Sequence, residues 1–97
     1  MVTFKHKEES NTGQFEILEQ DQVVGMIIYR WAGSSTIIIE HTETKKEFTG
    51  KGYAKQLVYK VVELAKENDA KIIPLCSFAK KVMEADQSLA GLLKHSF

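Results

Sequence analysis

The chain has few of the residues that hold small domains together covalently or through metals. Among its 97 residues there is one cysteine, Cys76, and one proline, Pro74. A single cysteine excludes a disulfide framework within the chain and a zinc site of four cysteines. No second histidine or cysteine lies near His41 in the sequence, so we expect no metal site.

An excess of charge of either sign is also missing. Thirteen lysine and arginine residues balance thirteen aspartate and glutamate residues, which gives a formal net charge of 0. A non-specific nucleic-acid binder needs a basic excess to neutralise phosphates, so we expect no nucleic-acid partner. Apolar residues make up 43% of the chain and charged residues 27%, a composition that is typical of a globular protein rather than a disordered one.

Long apolar runs are absent as well. No stretch reaches the roughly 18 apolar residues that a membrane-spanning helix requires. Residues 1–10 are charged and contain no apolar segment of the kind found in signal peptides. We therefore expect no membrane partner and a cytoplasmic location. The length predicts one domain over residues 1–97, because it leaves no room for a second core.

The first half of the chain is rich in β-branched and aromatic residues, which predict strands. Residues 23–31 form an almost unbroken apolar run that is typical of a strand buried on both faces, and Gly25 within it indicates a bulge or a close backbone approach. Further strands are predicted over 2–6, 13–20 and 36–44. The turns between them are short, so an antiparallel meander is the simplest arrangement.

The second half changes to a helical period. Six apolar residues recur at i, i+3, i+4, i+7, i+8 and i+11: Ala54, Leu57, Val58, Val61, Val62 and Ala65. This spacing predicts an amphipathic helix from about 50–52 to 68–69. A strand over 71–75, a second helix over 76–85 and a last helical turn within 88–93 follow. The predicted fold class is thus α+β / α/β: an antiparallel meander, then a right-handed βαβ unit and a C-terminal helix.

The turn between strand 36–44 and the first helix is the segment most informative about function. Residues 49–54 read Thr-Gly-Lys-Gly-Tyr-Ala, with two glycines one residue apart before a helix. Glycine lets the backbone turn sharply and approach a ligand, and a helix N-terminus offers unpaired N–H groups and a positive dipole end. Such a turn suits a phosphate or pyrophosphate, although a plain tight turn that caps a helix would use the same residues.

Two well-known phosphate loops do not match this turn. A Walker A loop requires Gly-Lys followed by Ser or Thr, whereas Lys51 and Tyr53 flank Gly52 here. A dinucleotide fingerprint requires a third glycine at the position of Lys55. The pattern that remains is Gly-x-Gly or Gly-x-Ala before a helix.

Three segments in this order resemble the GNAT acyltransferases, and especially their short members. That family carries (Q/R)-x-x-G-x-(G/A) at this turn; Gly50 and Gly52 match it, with Glu47 in place of the usual Gln or Arg. The short members pair the turn with an acidic-His-Thr segment, here residues 40–43, and with a Pro-Leu-Cys strand end, here residues 74–76 followed by Phe-Ala. The resemblance covers about residues 23–83.

The resemblance implies a minimal GNAT-like fold and an activity that transfers an acetyl group from acetyl-CoA to an amine or protein acceptor that the sequence does not identify. It implies that the backbone amides of the turn hold the pyrophosphate of CoA, that the pantetheine arm pairs with the backbone of 42–44, and that Glu47 faces solvent. The expected CoA-binding residues are Thr42, Thr44, Thr49, Gly50, Lys51, Gly52, Tyr53, Ala54, Lys55 and Phe78.

Three side chains are candidate catalytic residues. Cys76 begins a predicted helix, whose dipole favours the thiolate, and at a CoA site it could accept the acyl group by thioester exchange. His41 or Glu43 could take the proton of an attacking amine. Strict alternation predicts that both lie on the face of Ile37 and Ile39, unless a bulge intervenes.

Cys76 and His41 could each have a purely structural role, and the whole chain could have another function. Cys76 could be a small buried apolar residue, and His41 a hydrogen-bonded residue at a strand end. The same turn could bind CoA without turnover and regulate a partner protein, or the chain could be an interaction domain that binds no nucleotide. Fold similarity alone does not prove catalysis.

Overall fold

Strands occupy the first half of the chain and helices flank the last strand, as the change of period predicts. The computed structural model describes residues 1–96. The strands in that range are β1 (Val2–Glu9), β2 (Thr12–Glu19), β3 (Gln22–Trp31), β4 (Thr36–Thr44) and β5 (Lys71–Pro74); the helices are α1 (Tyr53–Glu67) and α2 (Ser77–Ala85). Short 3-10 turns lie at Lys46–Phe48 and Gln87–Leu89.

The strands form one sheet in the order β1-β2-β3-β4-β5. The first four pair antiparallel in sequence order, and β5 pairs parallel to β4 after the α1 crossover. The predicted meander and βαβ unit are therefore confirmed. β1 is longer than the predicted 2–6, because it pairs with β2 over its whole length from Val2 to Glu9.

The C-terminal segment differs in part from its prediction. Only Gln87–Leu89 is helical within or near the expected 88–93 turn. Leu92 and Lys94 instead hydrogen-bond to Ile72 of β5, at 2.7 Å through the Leu92 carbonyl and 2.8 Å through the Lys94 N–H. The outer edge of a short parallel strand offers unpaired backbone groups, and this segment satisfies them.

The main core lies between one face of the sheet and α1. The predicted helical stripe is buried from Leu57 to Ala65, while Ala54 at its start is only half-buried. The stripe packs on apolar side chains of the sheet, and α2 adds Ala79 and Met83. A fully buried aliphatic side chain contributes about 1.5–3 kcal/mol, so this layer supplies most of the driving force for folding.

A bulge in β4 reverses the predicted alternation. Ile39 lies opposite Tyr29 but His41 lies opposite Ile28, so Glu40 has no partner in β3. An extra residue in one strand turns every later side chain to the other face. The prediction that His41 and Glu43 share the face of Ile37 and Ile39 is therefore wrong.

Thr42 takes the place that His41 was expected to hold. It lies opposite Ile27, a core residue, and so joins Ile39 on the face that carries α1. Thr44 follows on the same face, opposite Gly25. A Cβ atom at Gly25 would stand 3.0 Å from the Glu43 carbonyl oxygen, which confirms the close backbone approach predicted there.

The parallel pairing is short, and its end creates an opening in the sheet. β4 and β5 pair only from Thr36–Lys71 to Ile39–Pro74. The Ile39 carbonyl then accepts from the N–H groups of Leu75 and Cys76, at 3.0 and 3.3 Å. Beyond this point β4 continues to Thr44 without a β5 partner, while the chain turns away into α2.

We expect Gly13→Ala to destabilise the fold, because a Cβ atom at Gly13 would lie 2.3 Å from the Tyr29 ring. Tyr29 is fully buried, and its hydroxyl is held between His6 and Glu8, so the ring has no room to yield. Overpacking of this kind costs roughly 1–3 kcal/mol of unfolding free energy. Urea unfolding of Gly13→Ala beside Gly91→Ala tests it, since nothing lies within 4 Å of a Cβ at Gly91. Equal loss in both variants would contradict the prediction.

Candidate functional site

A groove of about 1050 Å³ lies between the start of α1 and α2, at the opening beyond the β4–β5 pairing. It contains all of the predicted CoA-binding residues except Lys51. Those that line it are Thr42, Thr44, Thr49, Gly50, Gly52, Tyr53, Ala54, Lys55 and Phe78. Residues from three separate segments of the sequence thus meet at one surface.

The glycine turn forms one end of the groove. Gly50 and Gly52 have φ angles of 89° and 81°, a left-handed conformation that L side chains rarely adopt. Gly52 caps α1, and no side chain bonds to the open N–H groups of the helix. The first turn of α1 also carries no acidic residue. The unpaired N–H groups and the positive helix end therefore make this turn suited to an anion.

The cations near the turn are arranged differently from the expectation. Lys51 does not line the groove: its Nζ lies 3.8 Å from Glu19 Oε2 and 5.1 Å above the centre of the Phe48 ring. Lys55 and Lys81 do line it. Glu47 is exposed and lies outside the lining, as expected for a carboxylate near an anion site.

Glu19 supports the turn from the sheet, and sequence reasoning missed it. The Tyr53 hydroxyl donates to Glu19 Oε2, and this bond raises the pKa of Tyr53 above its ordinary value. Lys51, which precedes Gly52, also contacts Glu19. Both neighbours of the cap residue are therefore held to the end of β2. Nothing in the sequence relates residues 19 and 53, because only the tertiary fold brings them together.

Cys76 lies at the opening of the sheet, where it caps α2. The thiol is half-buried, and its sulfur lies 3.6 Å from the Thr42 hydroxyl oxygen. Burial raises the pKa of the thiol, but the N–H groups of Ala79 and Phe78 and the hydroxyl and N–H of Thr42 outweigh it. The net result is a pKa below the ordinary value for cysteine.

The structure does not bring His41 into this arrangement. Because of the bulge at Glu40, His41 lies on the sheet face opposite Thr42, where it is exposed and 3.7 Å from Glu43. Glu43 is exposed too, but it also reaches the edge of the groove. Their catalytic roles stay predictions, because both side chains lie on the face away from α1, although residue Glu43 also borders the groove.

The far end of the groove is closed by contacts that the sequence analysis missed. The Tyr59 hydroxyl donates to Asp86, which lowers the pKa of Asp86 together with the larger effect of Ser88. Ser88 donates to Asp86 Oδ1 through its N–H at 3.0 Å and its hydroxyl at 2.6 Å. These bonds fix the end of α2 against α1. The helical period places Tyr59 beside the buried stripe, but no local pattern in the sequence indicates its contact with Asp86.

Comparison with known proteins fits this geometry. Residues 14–92 match the family of GCN5-related N-acetyl-transferases. The chain belongs to this family. A GCN5-like protein from Staphylococcus aureus shares the fold with a TM-score of 0.70 and 34% sequence identity, over 96% of this chain and 90% of that one.

Two further relatives mark how far the similarity extends. Protein NATD1 of Xenopus tropicalis is 29% identical over 59 residues, which are 61% of this chain and 54% of that protein, so the match spans about half of that relative's length. A GNAT family acetyltransferase from Elizabethkingia anophelis, solved with acetyl-CoA bound, has the same fold at 12% identity, with a TM-score of 0.70 over 87% of this chain and 72% of that one.

The described residues contain neither a metal-binding cluster nor a membrane-spanning helix. Within residues 1–96 no three His, Cys, Asp or Glu side chains come together in a way that could hold a metal ion. No helix in that range is both long and apolar enough to cross a membrane.

The lowered pKa of Cys76 predicts fast alkylation at mildly alkaline pH. Only the thiolate reacts, so the rate should rise with pH through a midpoint below that of the same thiol in the unfolded chain. Mass spectrometry gives the alkylation rate as the loss of unmodified protein in iodoacetamide. Rates measured over roughly pH 5–10 give the midpoint. The same protein unfolded in urea is the control, and a folded midpoint at or above the unfolded one would contradict the prediction.

Proposed function

We propose that this protein binds acetyl-CoA in the groove and transfers the acetyl group to an amine, by way of Cys76. The observation that carries the proposal is the continuity of the groove: it runs from an open anion-binding turn at Gly50–Gly52 to the region of Thr42, whose hydroxyl contacts the Cys76 thiol. The family and the acetyl-CoA bound to a relative of the same fold support the choice of ligand.

The pyrophosphate of the ligand is assigned to the first turn of α1. The N–H groups that follow Gly52 meet its charge, and Lys55 adds a cation at the wall of the groove. The pantetheine arm is assigned to the part of β4 from Thr42 to Thr44. This part has lost its β5 neighbour, so its backbone groups on that side can pair with the amides of the arm.

The thioester then lies next to Cys76, which acts as the nucleophile. The thiolate attacks the carbonyl carbon, the bond from that carbon to the sulfur of CoA breaks, and CoA leaves as a thiolate that takes up a proton from water. The product is an S-acetyl cysteine. The N–H groups of Phe78 and Ala79 keep the attacking thiol ionised at lower pH than a free cysteine.

The acceptor amine completes the reaction. Its nitrogen attacks the S-acetyl carbonyl, the carbon–sulfur bond breaks and the Cys76 thiolate is regenerated. The amine loses a proton in this step, to water or to Glu43, a residue that borders the groove although its side chain shares the far face with His41. Direct transfer with His41 as base is less favoured, because the bulge in β4 turns His41 away from the groove.

A cytoplasmic location and a single domain over 1–97 remain part of the proposal.

Gly52→Ala should weaken acetyl-CoA binding by about tenfold or more. A Cβ atom strains the left-handed cap by roughly 1–2 kcal/mol and disturbs the amides that meet the pyrophosphate. Gly33→Ala is a matched control: Gly33 has a similar φ of 74°, nothing lies within 4 Å of its Cβ, and it sits in the β3–β4 turn outside the groove. Calorimetric titration with acetyl-CoA should show a loss in the Gly52 variant alone. Equal affinity in both would mean that the turn is only structural.

Cys76→Ala should abolish the covalent step. After incubation with acetyl-CoA, the wild-type protein should gain the mass of one acetyl group, removable by hydroxylamine, and Cys76→Ala should gain none, because it has no other thiol. Cys76→Ala should keep its affinity for acetyl-CoA in the titration. Release of CoA by Cys76→Ala at the wild-type rate would exclude the covalent route. Binding of acetyl-CoA by the wild type with no acetylation and no turnover would identify a CoA-binding module instead.

A further inference from the structure

Thr42 stands where two independent features of the backbone meet. The extra residue at Glu40 turns the Thr42 side chain to the sheet face that carries α1 and α2. The end of β5 at Pro74 then lets the chain swing out, so that Cys76 comes to lie beside β4 rather than in line with β5. The result is a contact of 3.6 Å between the Cys76 sulfur and the Thr42 hydroxyl, across 34 residues of sequence.

We infer that Thr42, which lines the groove, is a positioning residue whose hydroxyl holds the Cys76 sulfur beside it. The use of that thiol in acyl transfer rests on the proposed function, but the contact itself does not. The resemblance to known proteins implies only that the backbone near Thr42 contacts the pantetheine arm. The side chain has a separate task in this inference.

A hydroxyl suits this task because it can both donate and accept. When the thiol is protonated, its S–H donates to the Thr42 oxygen, as the observed contact shows. When the thiol ionises, rotation about the Cβ–O bond lets the hydroxyl hydrogen donate to the sulfur. The sulfur therefore keeps one partner in the same place before and after it loses its proton.

No ion pair substitutes for this contact. The groups that act on the thiol are the N–H groups of Phe78 and Ala79 from α2, and the N–H and hydroxyl of Thr42 from β4, with no charged side chain among them. The backbone donors survive any substitution at Thr42. The hydroxyl is thus the one side-chain contribution that a mutation can remove cleanly.

The contact also explains why the bulge matters to the site. Without the extra residue, alternation would direct Thr42 to the face that now carries His41 and Glu43. His41 would then lie on the face of α1 and α2 in place of Thr42. The bulge thus gives the half-buried thiol a hydroxyl as its partner from β4.

Thr42→Val and Thr42→Ser separate the hydroxyl from the shape of the side chain. Valine keeps the branched shape and removes the donor, and serine keeps the hydroxyl and removes a methyl group. The measurement is the pH profile of alkylation by iodoacetamide on the protein without ligand. We expect the midpoint to rise by about one pH unit in Thr42→Val, because the ionised form loses a hydrogen bond, and to stay near the wild-type value in Thr42→Ser.

Two results would overturn the inference. One is a Thr42→Val profile that matches the wild type. The other is a Thr42→Ser profile shifted as far as that of Thr42→Val, which would mean that packing of the methyl group sets the thiol's environment. Thermal unfolding of each variant checks that the fold is retained, and Thr42→Ala takes the place of the valine variant if that one does not fold.

The same variants keep this inference distinct from the proposed function. The alkylation profile requires no CoA, so it judges the role of Thr42 even if the protein transfers no acetyl group. A wild-type protein that binds acetyl-CoA but never becomes acetylated overturns the covalent route, whatever the profile shows. If both hold, Thr42→Val should acquire the acetyl group several-fold more slowly at neutral pH, with a smaller difference at pH values above the shifted midpoint.

Discussion

The divergence of β4 from β5 is the constraint on which the whole site depends. Four pairs of residues join the two strands, and the ladder then stops at Ile39 and Pro74. Proline has no N–H to continue the pairing, and the next two N–H groups both bond to the Ile39 carbonyl. The chain is thereby released from the sheet at the point where β4 runs on. The groove, the exposed backbone of β4 and the position of Cys76 all follow from that release.

Two helices begin beside this opening, and each presents its N-terminal end to a different part of the groove. α1 begins at the glycine turn with its N–H groups free of side-chain caps. α2 begins at Cys76, and the N–H groups of Phe78 and Ala79 in its first turn lower the pKa of the thiol. A helix end favours negative charge in both cases. The N-terminal end of α1 suits a phosphate group, and that of α2 suits a thiolate.

The groove combines backbone N–H groups with polar side chains. Polar side chains that line the groove beyond the turn and the start of α1 include Thr42, Lys81 and the pair formed by Tyr59 and Asp86. The backbone N–H groups of the turn are positioned by the fold and not by the identity of their side chains. The Elizabethkingia anophelis structure has the same fold at 12% identity.

The sequence by itself determined the elements and their order. The periods of 2 and 3.6, the breaks between them and the glycine turn were enough to predict the meander, the crossover helix and the fifth strand, because these are local properties of the chain. It also predicted an anion site at residues 49–55, since a helix end and two glycines lie within one short segment.

Tertiary structure alone decided which side chains meet. One unpaired residue, Glu40, moved His41 and Glu43 to the far face and brought Thr42 to Cys76, and no pattern in the sequence marks a bulge at that position. The partners of Tyr53 and Tyr59 were equally hidden, because Glu19 and Asp86 lie 34 and 27 residues away. Alternation is a property of one strand, whereas register is a property of two. A single residue added to one strand therefore changes the face of every side chain beyond it, and only the paired structure shows where that happens.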